Sequence, residues 1–306
     1  MAYNTGICNS FDELKTALIS CCVSNGWTST TDSAGKDVIY KDNLYVMVET
    51  LSYCLRIAGR TGVSEGSTPT YVGITDFYND GDPWPGNVEF PVTYFCFTYA
   101  SVDEVYFVIK YNNKYQWLAF GKSNIALPGT GLWIAGTAGL YGTTKSKYNI
   151  PSYISASTGS SKYTAPALFW MAYKYYSDTY NYYGFKNYWL HSNINPNYPW
   201  SLAQDNYESY APVGKNYLNS YLSGQPNRFN QQSLLLPILV NHAHSVYSGY
   251  YSLVAQLQNA RHIVMSYIDP ETVLYHGVEQ WVVFPHFART GTPNTGTYAH
   301  AFKKEA

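Results

Sequence analysis

Apolar residues recur at helical spacing in one clear stretch of this chain, residues 11–24; elsewhere, visible periodicity is mostly the two-residue alternation of a β-strand. In the helical stretch Phe11, Leu14, Leu18 and Cys21 or Cys22 share one face. Ser10 suits the N-cap, Glu13 completes a capping box, and Asn25-Gly26 stops the helix. After Trp27, Val38-Ile39-Tyr40, a turn at Lys41-Asp42-Asn43 and Leu44 to Val48 predict a hairpin, with Leu51 to Ile57 as a further strand. Arg60 to Thr70 and residues 79–91 read as loops. Strands are expected at Val92 to Tyr99, Glu104 to Tyr111 and Tyr115 to Gly121, with Asn112-Asn113 as a turn. A Gly-rich turn from Leu127 leads into a short strand, and five more strands follow: Leu234 to Val240, Ser252 to Leu257, Arg261 to Tyr267, Gln280 to Pro285 and Tyr298 to Lys303.

Residues 141–221 differ in kind. They hold 16 of the 33 tyrosines, and only Ala165 to Asp178 shows any period, compatible with a helix or a strand pair. The expected class is therefore mainly β (α+β): antiparallel sheets with one N-terminal amphipathic helix and a Tyr-rich insertion of irregular structure. The expected organisation is an N-terminal helix plus β-rich domain over 1–140, a Tyr-rich interface segment over 141–232, and a C-terminal β-rich part over 233–306 packed with the N-terminal sheet system.

Charged residues are only 13% of the chain, roughly half the usual share of about 25%, and aromatics reach 18%. That balance excludes a disordered chain. No apolar run approaches the roughly 20 residues of a membrane helix, and no basic head with an apolar stretch opens the sequence, so neither a span nor a secretory signal is expected. The five cysteines (Cys8, Cys21, Cys22, Cys54 and Cys96) are odd in number and irregularly spaced, which fits buried thiols made in a reducing cytoplasm. Net charge is −1, without a nucleic-acid signature. Its distribution is uneven: residues 1–104 carry −8 and residues 105–268 carry +8. Opposite-signed parts suit head-to-tail contact between subunits, or mixing of both signs within one folded chain.

Motifs that carry chemistry are sparse. His242-Ala-His244 would aim both rings to one side of a strand, yet no carboxylate occurs between Glu208 and Asp269 to add a third metal ligand, so no metal is expected. Asp80 and Asp82 beside Trp84 are the nearest match to a glycosidase acid pair, but lie in a Gly/Pro turn where Asp serves turn geometry. Asp103-Glu104 reads as a hairpin corner. Nucleophile elbows and phosphate loops are missing, and Gly129-Thr-Gly131 alone is too weak to use. Lys145, Lys147, Lys162, Lys174 and Lys186 run singly among the tyrosines without a base-stacking motif. The chain is expected to be no enzyme and to need no cofactor.

Three groups of segments resemble virion structural proteins of tailed bacteriophages. The first is the helix ending at Asn25-Gly26-Trp27 with Asp37 to Val46 and Leu55 to Gly62; the second is Tyr115 to Gly121 with Gly129 to Trp133. The third is Asn259-Ala-Arg261, the Trp-Val-Val-Phe-Pro ending of Gly277 to Pro285, and the closing Gly296 to Ala301. The resemblance covers both flanks and not the Tyr-rich stretch. It implies a structural role in the neck, collar or tail of a virion assembled in the host cytoplasm, with copies of the same chain and other virion proteins as partners. Independently, Tyr and Trp give amphipathic contact area at low entropy cost. The expected interface residues are therefore Trp170, Tyr173, Tyr175, Tyr176, Tyr180, Tyr182, Tyr183, Tyr188, Trp189 and Trp200. The alternative is a carbohydrate- or receptor-binding virion module, with Trp84, Trp170, Trp189 and Trp200 stacking on a host-surface glycan.

Overall fold

The computed structural model describes residues 3–68, 71–76, 87–140, 176–177, 180–181, 188–194, 196–197, 199–202, 229–230, 232–243, 251–265, 267–285 and 298–304. The chain opens with β1 (Tyr3–Cys8) and α1 (Phe11–Val23). Ser10 caps α1 by accepting the Glu13 N–H at 3.1 Å, while the Glu13 carboxylate accepts the Asn9 N–H at 2.7 Å, one residue earlier than a capping box requires. Gly26, at φ +87, takes the left-handed turn that ends the helix and lets the Trp27 N–H return to the Cys22 carbonyl at 3.1 Å.

Five strands follow: β2 (Thr28–Thr31), β3 (Asp37–Lys41), β4 (Leu44–Leu51), β5 (Cys54–Arg60) and β6 (Tyr71–Thr75). The β3–β4 hairpin turns at Asp42, φ +53. The strand expected over Leu51 to Ile57 is divided, because the chain turns at Ser52-Tyr53 and Leu51 faces Cys54 across the turn. Next come β7 (Val92–Thr98), β8 (Glu104–Tyr111), β9 (Lys114–Lys122), β10 (Leu132–Gly136) and β11 (Ala138–Leu140). Two short pieces, β12 (Tyr176–Ser177) and β13 (Tyr180–Asn181), pair with each other; β14 (Tyr188–His191), β15 (Trp200–Leu202), β16 (Leu236–Ala243), β17 (Tyr251–Val264), β18 (Val273–His276), β19 (Glu279–Pro285) and β20 (Tyr298–Lys304) complete the chain.

These strands build three main antiparallel sheets. The central sheet runs β1-β7-β8-β9-β10-β14-β15, a first outer sheet runs β11-β6-β5-β4-β3-β2, and a second outer sheet runs β16-β17-β20-β19-β18. The central sheet is covered on both faces, and its side chains divide between them residue by residue. Cys96, Val105, Phe107, Ile109, Leu118, Phe120, Leu132 and Ile134 meet α1 and the first outer sheet. Their alternate neighbours Phe95, Phe97, Tyr106, Val108, Trp117, Ala119, Trp133 and Ala135 meet Val240, Val254, Leu257, Val282, Phe284 and Phe302 of the second outer sheet. Burial on both faces explains why β7 to β10 read as nearly continuous apolar runs. Each fully buried side chain of this kind contributes about 1.5–3 kcal/mol.

The central and first outer sheets are joined without a loop. Between β10 and β11 a single residue, Thr137, changes sheet; its Oγ1 accepts the Trp117 N–H at 2.6 Å and its own N–H donates to the Trp117 carbonyl at 2.8 Å. At this corner a Cβ on Gly136 would lie 2.5 Å from the Gly73 nitrogen, so only glycine fits.

Two sequence expectations are corrected here. Residues 188–202, within the stretch expected to stand apart as an irregular insertion, supply β14 and β15 to the central sheet. The two strands expected at Ser252 to Leu257 and Arg261 to Tyr267 form one strand, β17, interrupted by a bulge: Pro237 pairs with Arg261 but Ile238 pairs with Leu257.

Candidate interaction surface

β14 continues the two-sided alternation of the central sheet, and this decides where its aromatic residues go. Tyr188 and Leu190 point to the second outer sheet, Trp189 to the first. On β15, Trp200 lies over β5, where a Cβ on Gly59 would sit 2.4 Å from the indole ring, and its Nε1–H donates to the Gly66 carbonyl at 3.0 Å. Tyr188, Trp189 and Trp200 are 2%, 4% and 7% exposed. These three are core residues of their own chain, which corrects their assignment to an interface. A glycan platform at Trp189 or Trp200 is excluded by the same burial. Tyr176 and Tyr180 are placed by backbone alone, in the β12–β13 pair; Trp170, Tyr173, Tyr175, Tyr182, Tyr183 and Trp84 lie outside the described residues.

His191, unremarked in the sequence, is buried beside Trp200 with ring centroids 4.7 Å apart, and burial lowers its pKa. Its Nδ1 accepts the Thr130 N–H at 2.9 Å. Gly129 and Gly131, at φ +101 and +68, bend the preceding loop over this ring, so Gly129-Thr-Gly131 is a structural turn.

Glu104 opens β8 at the β7–β8 corner, as expected, but it is buried there. It is 3% exposed, and its carboxylate spans to the β17 bulge. Oε1 accepts the Gln258 N–H at 2.8 Å; Oε2 accepts the Asn259 N–H at 3.0 Å, the Asn259 amide at 3.1 Å and the Tyr106 hydroxyl at 3.0 Å. The bulge frees backbone donors from the strand ladder, and Glu104 satisfies them. Burial raises its pKa against these four hydrogen bonds. Asp103 is half-buried and pairs with Lys41 at 2.7 Å. Gln116 does similar work on the other side, holding the Thr75 N–H and carbonyl of β6 at 2.9 Å each.

The outer face of the first outer sheet carries an ion network. Arg56, nearly fully buried, donates to Glu49 through Nε at 2.8 Å and stacks 3.9 Å above the Tyr71 ring. Lys36 meets the same carboxylate at 3.1 Å, and Arg60 meets Asp32 at 2.8 Å. Burial alone would raise the Glu49 carboxyl, but Arg56 and Lys36 hold it below the ordinary range. Each carboxylate is committed to a cation, an arrangement that orders the sheet and leaves neither acid protonated for proton transfer at neutral pH.

Among the described residues, no group of three or more His, Cys, Asp or Glu is arranged to hold a metal. His242 lies on β16, while its side chain, His244, Asp80 and Asp82 fall outside the described residues.

Of the outward apolar residues of the described part, some sit at sheet edges, while others, such as Phe229 and Tyr267, lie outside the strands. Ile7, 70% exposed, projects from β1, which forms one edge of the central sheet. Tyr275 and Val278, 72% and 98% exposed, occupy the β18–β19 hairpin at an edge of the second outer sheet, where Gly277 makes the turn at φ +60. β1 pairs with β7 over six consecutive residues without a register shift and contains neither a charged residue nor a proline. By contrast, β16, the other long edge, is interrupted by Pro237 and two register shifts. No protein-family model matches this chain, and no curated protein matches it either.

Proposed function

We propose that this chain is a structural subunit of a tailed-phage virion, built into the neck, collar or tail in multiple copies through protein–protein contacts. The observation that carries the reading is the edge strand β1: regular, uncharged, and presenting Ile7 to solvent. Soluble monomers ordinarily guard such an edge with lysine, proline or a bulge, because its free backbone groups pair with another strand. A subunit meant for assembly has use for that pairing. The exposed hairpin residues Tyr275 and Val278 supply a second contact of similar character. The phage resemblance of both flanks and the low charge of the chain point the same way, since weakly charged surfaces are cheap to desolvate.

The test is the sedimentation of the purified chain, alone and with its virion neighbours, for wild type and Ile7→Lys. The wild type is expected to form a multi-copy particle visible by electron microscopy. Ile7→Lys is expected to remain monomeric with an unchanged melting temperature, because Ile7 makes little contact within its own fold. A wild-type chain that stays monomeric at high concentration with those neighbours present would refute the assignment.

A further inference from the structure

β1 offers six residues of open edge, and the other edges of the three main sheets do not match it. β11 and β15 have three residues, β2 and β18 four, and β16 has eight but is broken by Pro237 and two register shifts. Among the described strands, an uninterrupted six-residue ladder therefore has one counterpart, β1 of a second copy. When two sheets join edge to edge, residues opposite each other must face the same way. On β1, Tyr3, Thr5 and Ile7, opposite Phe97, Phe95 and Thr93, face the second outer sheet, while Asn4, Gly6 and Cys8 face α1. An antiparallel self-pair centred on Thr5 meets this condition: Thr5 lies opposite Thr5, Tyr3 opposite Ile7 and Asn4 opposite Gly6 of the second copy. No charge is set against its own image, because β1 carries none. The charges at its two ends are opposite in sign. Lys304 lies 4.9 Å from the Tyr3 ring centroid at the start, and the Glu13 carboxylate holds the Asn9 N–H at 2.7 Å just past the end. An antiparallel approach brings each end to the other copy's opposite end, whereas a parallel one sets like beside like.

We propose that the strand paired with β1 is β1 of a second copy, the two running antiparallel about a two-fold axis at Thr5 and joining two seven-stranded central sheets into one. The pairing rests on the assembly reading above and makes a dimer its repeating unit. Ile7, 70% exposed in the single chain, gains the Tyr3 ring of the second copy, a β-branched side chain against an aromatic one, and the two Thr5 side chains meet at the axis. The second outer sheet adds to the same side of the molecule. β20 crosses the central sheet, with His300 against Trp117 of β9, Phe302 against Tyr106 of β8 and Lys304 over Tyr3 of β1. Gln280 of β19 is opposite Lys304, so the β18–β19 hairpin is carried toward β1. Its exposed Tyr275 and Val278 flank the open edge and enlarge the surface that a second copy covers.

The experiment uses the full-length chain carrying Thr5→Cys, whose five native cysteines are free and buried. Thr5 is exposed, so the substitution is expected to leave the melting temperature unchanged. After mild oxidation under native conditions, the protein is run on a non-reducing gel and its digest mapped by mass spectrometry. The expected result is that most of the chain runs at twice its mass, reverts on reduction, and yields a peptide pair joined through position 5 of both copies. Ile7→Cys is expected not to link to itself, because the two positions 7 lie four residues apart along the pair, about 14 Å, beyond the reach of a disulfide. A multi-copy particle in which position 5 does not link, or a self-link in Ile7→Cys, would overturn the self-pairing and leave the subunit assignment standing. A wild-type chain that stays monomeric with its virion neighbours present would overturn both.

Discussion

Acid should unfold this protein through His262 well before its carboxylates titrate fully. His262 is on β17 directly opposite His300 on β20, with ring centroids 5.2 Å apart, and the His300 ring in turn lies 5.4 Å from Trp117 of the central sheet. His262 is 1% exposed, and burial lowers its pKa from 6.5 to about 3. The unfolded chain, with an ordinary histidine, binds a proton throughout the interval between those values while the folded chain refuses it. Stability from this group is thus complete above about pH 6.5 and falls as pH drops, by about 1.4 kcal/mol for each unit. Near pH 5 the loss is about 2 kcal/mol, and it levels off only near pH 3 at about 5 kcal/mol. For a protein whose total stability is on the order of 10 kcal/mol, that is a large share.

The assay is urea unfolding at pH values from 7.5 to 4.5, for wild type and His262→Phe. Phenylalanine keeps a flat ring of similar size in the site and cannot take a proton. The variant is expected to lose up to about 2 kcal/mol at pH 7.5 from imperfect fit, yet to show a slope shallower by about 1.4 kcal/mol per unit below pH 6.5. The two profiles should therefore converge toward pH 5. Contributions from carboxylates away from the site are common to both proteins and cancel in the difference. Parallel profiles across that interval would refute a buried, neutral His262.

Three further outcomes are expected. Glu104→Gln keeps the side-chain shape but sets an amide donor against the Gln258 N–H while retaining the Asn259 contacts; it should destabilise by about 1–3 kcal/mol in urea melts, and an unchanged midpoint would mean the bulge does not need the carboxylate. Gly136→Ala places a methyl group 2.5 Å from the Gly73 nitrogen at the corner between two sheets; soluble yield or melting temperature should fall sharply, and a wild-type melt would show that the corner can open. Trp200→Phe removes the indole bond to the Gly66 carbonyl and part of the ring over Gly59, and should cost about 1–3 kcal/mol without changing the oligomeric state of the folded fraction; altered assembly with unchanged melting would contradict its interior position.

The elements that announced themselves in the sequence are those whose signal is local. The helix has an apolar face and a capping serine at its start; the β3–β4 and β8–β9 hairpins have Asp42 and Asn112, the residue types that tolerate the left-handed turns they make. The class, mainly antiparallel β with one helix, follows from such local signals. What stayed hidden depends on partners far along the chain. β1, β2 and β6 are short and rich in Thr, Gly or Tyr, and become strands because β7, β3 and β5 lie beside them. β17 read as two strands because Gln258-Asn259 breaks the alternation, and nothing nearby reveals that Glu104, more than 150 residues earlier, supplies the hydrogen bonds that hold the break in place.

The misplaced aromatic rings have a more general cause. A ring with a polar tip suits an interface between two subunits, and it suits equally the layer between two sheets of one chain, because both are apolar spaces lined with backbone groups that accept hydrogen bonds. This fold uses the second option repeatedly: the Tyr99 hydroxyl donates to the Lys303 carbonyl at 2.7 Å, Tyr115 to Glu271 at 2.7 Å, and Trp200 to the Gly66 carbonyl. Composition measures only the demand for such rings. Deciding between subunit contact and internal layer requires counting the faces of each sheet that the chain can cover by itself, and the central sheet, from Phe95 to Trp189, is covered twice. If copies of the chain assemble as proposed, the central sheet has only its edge to offer them, so Ile7 on β1 is a sharper probe of that proposal than the buried tryptophans of β14 and β15.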